Sequence, residues 1–510
     1  MTREPGRFVA TTVGAIVPRR DIPVLGMQEF QKELLQRVAD GERVVAFFGE
    51  EAGPLSVTHL CAVLADDAAS CLHIGRIAME GPSFGSLTPD CPQVHLFERE
   101  IAEQHGLVAL GHPWFKPVRY HRSWSGRDAW ARSPDEPIVP GGGDFFRVEG
   151  DQVHEVAVGP VHAGIIEPGH FRFQCHGEKV LHLEIALGYQ HRGVEKALVG
   201  GPGKRSLHYA ETAAGDSTIV HALGYSQAVE ALSATRVSAR AQAVRGLALE
   251  LERLANHVGD LGALSGDVGF LPTASYCGRI RGDFLNMTAL VCGNRFGRSL
   301  VRPGGIGFDL GDELRETLLQ RLAVGEKEAT QAITLLWENQ SVMARFEGVG
   351  PLTRENAVAL GVVGPAARAS GLSRDVRFHQ PSGIYRFSQV PTSTYDSGDV
   401  FARAYVRWLE IQQSILFVRD QLESLPGGAP LTPGGDLAPD SLTVTLNEGW
   451  RGEVCHVALT DDEGRWSRYK IVDPSFHNWL ALALAMRDQE ISDFPICNKS
   501  FNLSYCGHDL

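Results

Sequence analysis

Apolar residues recur at the three- and four-residue spacing of a helix in several stretches of this chain. The clearest helix is predicted from about Gln242 to Leu264, where one face is apolar and another is polar. The apolar face consists of Leu251, Leu254, Ala255, Val258 and Leu261, and the polar face of Glu250, Arg253 and His257. Further patterns predict helices at about 27–39, 97–105 and 397–425.

Strand patterns are fewer and shorter. Residues 44–48 form a continuous apolar run that is typical of a buried strand, and residues 170–174 alternate between apolar and polar side chains. The stretches 442–446 and 453–459 are also strand-like. We therefore predict an α+β protein, with a small N-terminal α/β domain followed by a mostly α-helical domain that carries a small β-sheet.

The composition changes between residues 121 and 152. Ser, Pro, Gly and charged residues dominate there, as in Pro134-Asp-Glu-Pro137 and Pro140-Gly-Gly-Gly143, and such a composition is typical of a linker. The 510 residues are enough for two or three domains. We predict one domain at 1–120, the linker at 121–152 and a second domain at 153–510.

Composition and charge exclude several classes of function. The net charge of −13 argues against nucleic-acid binding, which needs a basic surface. We find no run of about 18 apolar residues that would cross a membrane and no secretory signal after the first residues. Other subunits would therefore hold the protein at a membrane. The nine cysteines are scattered without a Cys-x-x-Cys pair, which favours a reducing cytosol and argues against a zinc or iron–sulfur site within this chain.

Several motifs resemble subunits of respiratory complex I and its hydrogenase relatives. Glu98-Arg-Glu-Ile-Ala-Glu-Gln-His-Gly106, followed by Gly111-His-Pro113, resembles the signature of the complex I 30-kDa subunit. Four later segments resemble the hydrogenase-like 49-kDa subunit: Gly188 to Lys196, Glu250 to His257, Val301 to Ile306 and Gly364 to Gly371. Both modules in one chain resemble the large subunit of formate hydrogenlyase and other group 4 membrane-bound hydrogenases, to which Gly159 to His170 is also similar.

The resemblance identifies four positions where nickel–iron hydrogenases carry the thiolate ligands of their metal centre. In this chain those positions are Ala214, Ser217, Ser475 and Asn478. A methyl group, two hydroxyls and an amide do not replace four soft thiolates. We therefore expect no nickel–iron centre, no firmly bound cofactor and no hydrogen chemistry.

Complex I lacks the same cysteines and, in that family, the vacated region binds quinone. The resemblance thus implies a possible quinone pocket near His162, Ser217 and Ser475. The match is incomplete, because the quinone-binding tyrosine of complex I falls near Gly215 and the histidine that tunes its cluster falls near Gly297.

The resemblance suggests functional residues in two places, the β-hairpin and the segment that faces the small subunit in the family. His162 is a candidate to bind quinone or carry protons, or it is a hairpin histidine bonded to backbone. Arg192 and Glu195 are candidates to face the iron–sulfur cluster of a small subunit, tuning its potential and relaying protons. Their alternative is an ordinary surface ion pair within this segment.

The remaining candidates lie at the former metal site and in the later motifs. The candidates Asp216, Ser217 and His221 could form a polar pocket, or a cavity filled by mutual hydrogen bonds. The pocket could also include Asp473, Ser475 and His477. Arg368 is a candidate to hold an internal carboxylate, with a purely structural salt bridge as its alternative. We interpret Glu250, Arg253 and His257 as a structural network, with a link to proton movement, as in working relatives, as the alternative.

The resemblance predicts the large subunit of a complex-I-like, membrane-associated oxidoreductase that takes part in electron transfer coupled to ion translocation. Its expected partners are an iron–sulfur small subunit and antiporter-like subunits of a membrane arm, and its expected location is peripheral, on the cytoplasmic side of the membrane. The alternatives are a catalytically inactive scaffold subunit and an active nickel–iron hydrogenase. We also expect the C-terminal tail, 493–510, to be ordered.

Overall fold

The computed structural model describes residues 8–52, 57–163 and 166–510. The described part of residues 8–120 is a region with two α-helices, one main sheet and a separate pair of strands. Its elements are β1 (Val9–Thr11), β2 (Val17–Pro18), β3 (Val24–Leu25), α1 (Met27–Ala39), β4 (Arg43–Ala52), β5 (Val57–Asp66), β6 (Cys71–Ala78), β7 (Ser83–Gly85), α2 (His95–His105) and β8 (Val108–Leu110). The main sheet has the order β1-β6-β5-β4, and β3 pairs with β6 in parallel. The apolar face of α1 buries Phe30 and Leu34, and Gly106 ends α2 in the left-handed conformation, as predicted.

Residues 121–152 contain no helix or strand. A second sheet follows, with the antiparallel order β11-β10-β9. Its strands are β9 (Val153–Val158), β10 (His170–His176) and β11 (Lys179–Ala186). The side-chain alternation of 170–174 matches β10, which is the central strand of the three.

Helices dominate the rest of the chain. The first five are α3 (Val194–Leu198), α4 (Ser206–Glu211), α5 (Thr218–Leu232), α6 (Ala239–Asp267) and α7 (Leu271–Cys292). Two short paired strands follow, β12 (Val301–Arg302) and β13 (Gly305–Ile306). The remaining helices are α8 (Asp312–Trp337), α9 (Gln340–Phe346), α10 (Arg354–Ala359), α11 (Gly364–Ala369), α12 (Val376–His379) and α13 (Val400–Glu423). The predicted helix at 242–264 is confirmed and lies within α6. The predicted helix at 397–425 is confirmed as α13, which is slightly shorter at both ends. One face of α6 packs against α7 and another against α13. This helix is therefore buried along most of its length, and its polar residues enter the interior.

The C-terminal segment adds a sheet and three short helices. These are β14 (Ser441–Gly449), β15 (Gly452–Thr460), β16 (Trp466–Val472), α14 (Pro474–Ala485), α15 (Phe494–Phe501) and α16 (Tyr505–Asp509). The N-terminal strand β2 joins this sheet, whose order is β16-β15-β14-β2. One apolar core holds Phe47 and Phe97 together with Leu442 and Phe476, so the two ends of the chain pack as one body. In the described residues, no helix is both long enough and apolar enough to cross a membrane.

A buried ion cluster reinforces that packing. The ammonium group of Lys470 on β16 lies 2.6 Å from a carboxylate oxygen of Glu100 on α2 and 3.0 Å from one of Glu195 on α3. All three side chains are buried. Because buried charges must be paired, this cluster joins the N-terminal sheet region to the rest of the chain.

Replacing Lys470 by Met should destabilise the protein strongly. The variant leaves Glu100 and Glu195 facing each other with less compensation, and breaking such a buried pair costs about 3–5 kcal/mol. Urea unfolding followed by circular dichroism measures the loss. The matched control is Lys204→Met at an exposed position, which should leave the unfolding midpoint unchanged. Equal midpoints for the two variants would refute the role given to Lys470.

Candidate functional site

The two segments that resemble the metal-binding segments of hydrogenases both lead into helices. Residues 214–217 precede α5, and Asp473 caps α14 by accepting a hydrogen bond from the backbone N–H of Ser475 at 2.9 Å. Asp473 also joins the segments, because its carboxylate lies 3.2 Å from Nε2 of His221 on α5. The structure thus brings Asp473 and His221 together, as the sequence suggested.

His221 is part of a hydrogen-bonded row through the interior. Its Nδ1 lies 3.1 Å from Nε2 of His456 on β15, and Nδ1 of His456 lies 2.9 Å from the hydroxyl of Tyr469 on β16. All four side chains, including that of Asp473, are buried. Burial, together with the neighbouring His221, lowers the pKa of His456 far below its usual value, so this imidazole is neutral. The row runs from a carboxylate to a phenol without a break.

The four former ligand positions are buried, and their polar atoms are bonded within the chain. The hydroxyl of Ser475 accepts the backbone N–H of Ser504 at 2.8 Å. The amide of Asn478 accepts from the backbone N–H of Val363 and donates to its carbonyl, both at 3.0 Å. Ala214 offers only a methyl group. These side chains do not fit a group that requires four thiolates, and the described residues contain no cluster of three or more His, Cys, Asp or Glu that could hold a metal ion.

Asp216 and Ser217 face an arginine from the β14–β15 turn. Arg451 holds the carboxylate of Asp216 with two hydrogen bonds, at 2.5 and 2.8 Å, and donates to the Ser217 hydroxyl at 3.3 Å. Burial alone would raise the pKa of Asp216, but the charge of Arg451 outweighs it and lowers that pKa. Arg451 also donates to the carbonyl of Asn502, at 2.5 Å. Arg451 therefore links Asp216, around which the pocket was expected, to the C-terminal tail.

The tail is ordered, as expected. It is also mostly buried, and it bonds to the segment at 188–193. Asp509 accepts the backbone N–H groups of Gly188 at 2.8 Å and Gln190 at 2.9 Å. The carbonyl of Leu510 accepts two more N–H groups, from Arg192 and Gly193. The sequence gives little indication of these contacts, because the tail bonds to backbone N–H groups of residues 188–193, which almost every residue type supplies.

Arg192 and Glu195 do not pair with each other. The guanidinium of the exposed Arg192 donates to four backbone carbonyls, those of Gln190, Thr212, Ala213 and Cys506. Glu195 is buried and instead accepts from Lys470 and from Arg468, each at 3.0 Å. Burial alone would raise the pKa of Glu195, but the charges of Lys470 and Arg468 outweigh it and lower that pKa. The alternative of a surface ion pair within this segment is wrong, because Glu195 turns inward.

Arg368 belongs to a buried ionic network between α6, α11, α13 and β14. It pairs with Glu410 and Glu448, each at 2.7 Å. Glu410 also lies 2.9 Å from Nε2 of His257. Burial alone would raise the pKa of Glu410, but the charge of Arg368 and the hydrogen bond from His257 lower it well below its usual value. The polar face of α6 thus points into this network.

Glu250 on the same face of α6 has a full set of partners. Arg253 donates to its carboxylate at 3.0 Å and Arg377 at 3.1 Å, and the hydroxyls of Tyr385 and Ser414 donate at 2.7 and 2.5 Å. Burial alone would raise the pKa of Glu250, but the two arginine charges outweigh it and lower the pKa to about 2.

His162 lies apart from these groups, in the loop between β9 and β10. Its Nε2 is 2.8 Å from the carbonyl of Gly169, and its neighbour Val161 is 82% exposed. In the described chain, no direct hydrogen bond joins His162 or Arg368 to Asp216, Ser217 or His221. Arg451, His456 and Tyr469 were not predicted from the sequence as part of this site, because none of them lies in a motif that resembles a hydrogenase ligand segment.

Comparisons with known proteins agree with this architecture. Residues 267–437 match the family model of the 49-kDa subunit of respiratory-chain NADH dehydrogenase. The carbon monoxide-induced hydrogenase of Rhodospirillum rubrum is 30% identical over 350 residues, which are 68% of this chain and 97% of that protein. Formate hydrogenlyase subunit 5 of Escherichia coli is 28% identical over 83% of this chain and 76% of its own length. One subunit of the NADH-quinone oxidoreductase of Clostridium beijerinckii is 30% identical over 60% of this chain and 83% of its own length.

The fold and these matches together show that the chain is a large subunit of the class that contains complex I and hydrogenases. Within that class, the chain belongs to the family that unites complex I 49-kDa subunits with the large subunits of group 4 hydrogenases. It is a subunit of a complex-I-like oxidoreductase with several subunits.

Replacing Glu250 by Gln should lower the free energy of unfolding at neutral pH. The folded pKa of about 2 lies below the unfolded value of about 4.3, so the ionised carboxylate contributes about 3 kcal/mol above pH 4.3. That contribution is lost as the pH falls toward 2. Urea unfolding of both proteins between pH 7 and the acid limit measures it.

The matched control is Glu316→Gln on an exposed face of α8, where no such effect is expected. The difference between wild type and the Glu250 variant should shrink as the pH falls through the interval between the two pKa values. A difference that stays constant with pH would show that the carboxylate charge contributes nothing.

Proposed function

We propose that this chain is the large subunit of a membrane-associated, complex-I-like assembly and that it carries no nickel–iron centre. One observation carries the proposal: the side chains at the former ligand positions are buried and bonded within the chain. The hydroxyl of Ser475 and the amide of Asn478 are committed to backbone groups. The chain then acts through its interfaces and its internal charges, and the metal centres belong to partner subunits.

The packing argues against a metal group more strongly than the sequence does. Seating a group between the two segments would break the bonds of Asn478 to Val363 and of Ser475 to Ser504. Each buried polar group left unpaired costs about 1–3 kcal/mol, and no thiolate is present to repay the cost. The Arg451–Asp216 pair occupies part of the same region.

The expected neighbour is an iron–sulfur small subunit that contacts the segment at 188–195. Arg192 supports this assignment, because four carbonyls hold its exposed guanidinium in place as a fixed positive charge. Such a charge raises the potential of a nearby cluster. Electron transfer in the partner would be coupled to ion movement in antiporter-like membrane subunits, with this chain peripheral on the cytoplasmic side.

A quinone site near His162 is the second candidate. The observation that favours it is the position of His162 beside the exposed Val161 at the β9–β10 loop, where an apolar ligand could approach the imidazole. Ser217 and Ser475 are buried and already paired, so the His162 end of the proposed pocket is the accessible one. If the chain has no quinone site, the alternative is a catalytically inactive scaffold subunit of the complex.

Metal analysis of the assembly, purified from native membranes through a tag on this chain, tests the first proposal. We expect iron and acid-labile sulfide from the co-purified partner, nickel far below one per chain, and no hydrogen evolution. Stoichiometric nickel together with hydrogen turnover would refute it. A related assembly whose large subunit has all four cysteines serves as the positive control.

Quinone reduction by the same assembly tests the second candidate. His162→Ala should lower kcat/KM for quinone by about tenfold or more if the imidazole binds quinone or moves its protons. His154→Ala, at an exposed position on β9, is the matched control and should have no effect. If neither variant differs from wild type while quinone is reduced, the quinone site lies elsewhere; if no quinone is reduced at all, the scaffold alternative is favoured.

A further inference from the structure

A cavity of about 670 Å³ lies between the N-terminal region and the later domain. Its wall is formed by α2, the segment at 112–120, β11, α14 and His508 of the tail. The size falls within the range of small-molecule sites. None of the former ligand positions lines it, and neither does His162, so the cavity is separate from the site described above.

The wall is mainly apolar and aromatic. Large side chains from both halves of the molecule contribute to it: Leu96, Trp114, Leu183, Leu187, Trp479 and Leu480. Such a lining favours an apolar ligand body through burial of its surface. The polar groups of the wall then decide which ligand class fits.

Among the lining residues, the permanently charged ones are Arg99, Lys116 and Glu184. Lys116 and Glu184 neutralise each other, with 2.6 Å between Nζ and a carboxylate oxygen. Glu184 also accepts the indole N–H of Trp114 at 3.0 Å and the backbone N–H of Phe146 at 2.8 Å. Its carboxylate thus pairs with Lys116 and accepts three hydrogen bonds, and among the charged lining residues Arg99 is the one without an ion-pair partner in the described chain.

Arg99 has hydrogen-bond partners but no counter-ion. Its Nε donates to the carbonyl of Lys116 at 2.8 Å, and its Nη2 donates to the carbonyl of Pro117 at 2.9 Å. In the described part of the chain, no carboxylate lies within ion-pair distance of this guanidinium, and Nη1 has no hydrogen-bond partner. A cation against an apolar wall is costly without an anion nearby. The two N–H groups of Nη1 are free to bind one.

The histidines of the cavity do not change this balance. Burial lowers the pKa of His112 to about 4, and burial together with the charge of Arg99 lowers that of His95 far below its usual value. The pKa values of His182 and His508 are also lowered by burial. At neutral pH these four side chains are uncharged, so the lining carries one net positive charge.

We propose that this cavity binds a small apolar monocarboxylate, with the carboxylate at Arg99 and the apolar body against the tryptophans and leucines. One guanidinium matches one carboxylate charge. A phosphate monoester, with a charge of about −1.5 to −2, would keep part of its charge unpaired. The proposal stands independently of the function proposed for the former metal site.

Fluorescence titration of the full chain with dansylaminoundecanoate tests the proposal. We expect one saturable site per chain. Unlabelled dodecanoate should displace the probe, whereas dodecanol and dodecyltrimethylammonium should be weaker by about tenfold or more, because they lack the charge that pairs with Arg99. Displacement by dodecanol as effective as that by dodecanoate would overturn the carboxylate assignment, and the absence of saturable binding would overturn the site.

Two variants locate the bound probe. Arg99→Gln should weaken its binding about tenfold, whereas Arg20→Gln, which removes the same charge from a side chain that is 87% exposed, should not. Ala483→Phe on α14 fills the cavity from its apolar side and should abolish binding. Unchanged binding in both cavity variants would place the probe elsewhere and refute the proposal. If Arg99→Gln fails to fold by circular dichroism, the headgroup comparison on the unmodified chain still decides.

Discussion

Lys470 brings its ammonium group into the interior of the molecule, and two carboxylates from separate helices meet it there. Glu100 comes from the N-terminal region and Glu195 from the start of the later domain. An unpaired charge in that position would cost several kcal/mol, so the two halves of the chain must dock for the charges to be satisfied. The shared apolar core around Phe97 and Phe476 forms in the same docking. Pairing of buried charge is thus the constraint on which the arrangement of the two halves depends.

The same constraint governs the region that resembles a metal site. Once thiolates are replaced, buried polar atoms still need partners, and the chain supplies them from β14, β15 and the C-terminal tail. Arg451 pairs with Asp216, His456 continues the row from His221, and Ser504 bonds to Ser475. The region is therefore a polar structure whose side chains are bonded within this chain.

The cavity beside α2 differs from that region, because a charged side chain in its wall has no ion-pair partner in the described residues. Arg99 lines this mainly apolar space, donates to two backbone carbonyls and, in the described residues, has no ion-pair partner and no hydrogen bond from Nη1. Arg403 and Glu98 are also buried without an ion pair, but hydrogen bonds inside the packed chain satisfy them. Arg99 differs because it lines a cavity large enough for a small molecule. The ligand that we propose there would also contact both halves of the molecule and would stabilise their docking.

The sequence by itself determined two of the long helices, α6 and α13, and the family. The apolar spacing of α6 and α13 is local and regular, and the motifs around Glu250 and Gly188 are short, contiguous segments. It also showed that the former ligand positions lack sulfur. Only the tertiary structure decided the partners of those residues: Arg451 lies 235 positions from Asp216 and His456 the same distance from His221. Such pairs leave no periodic signal, because hydrogen bonds between distant segments depend on how helices and sheets dock. For the same reason, the inward turn of Glu195 and the isolation of Arg99 could not be read from the order of residues along the chain.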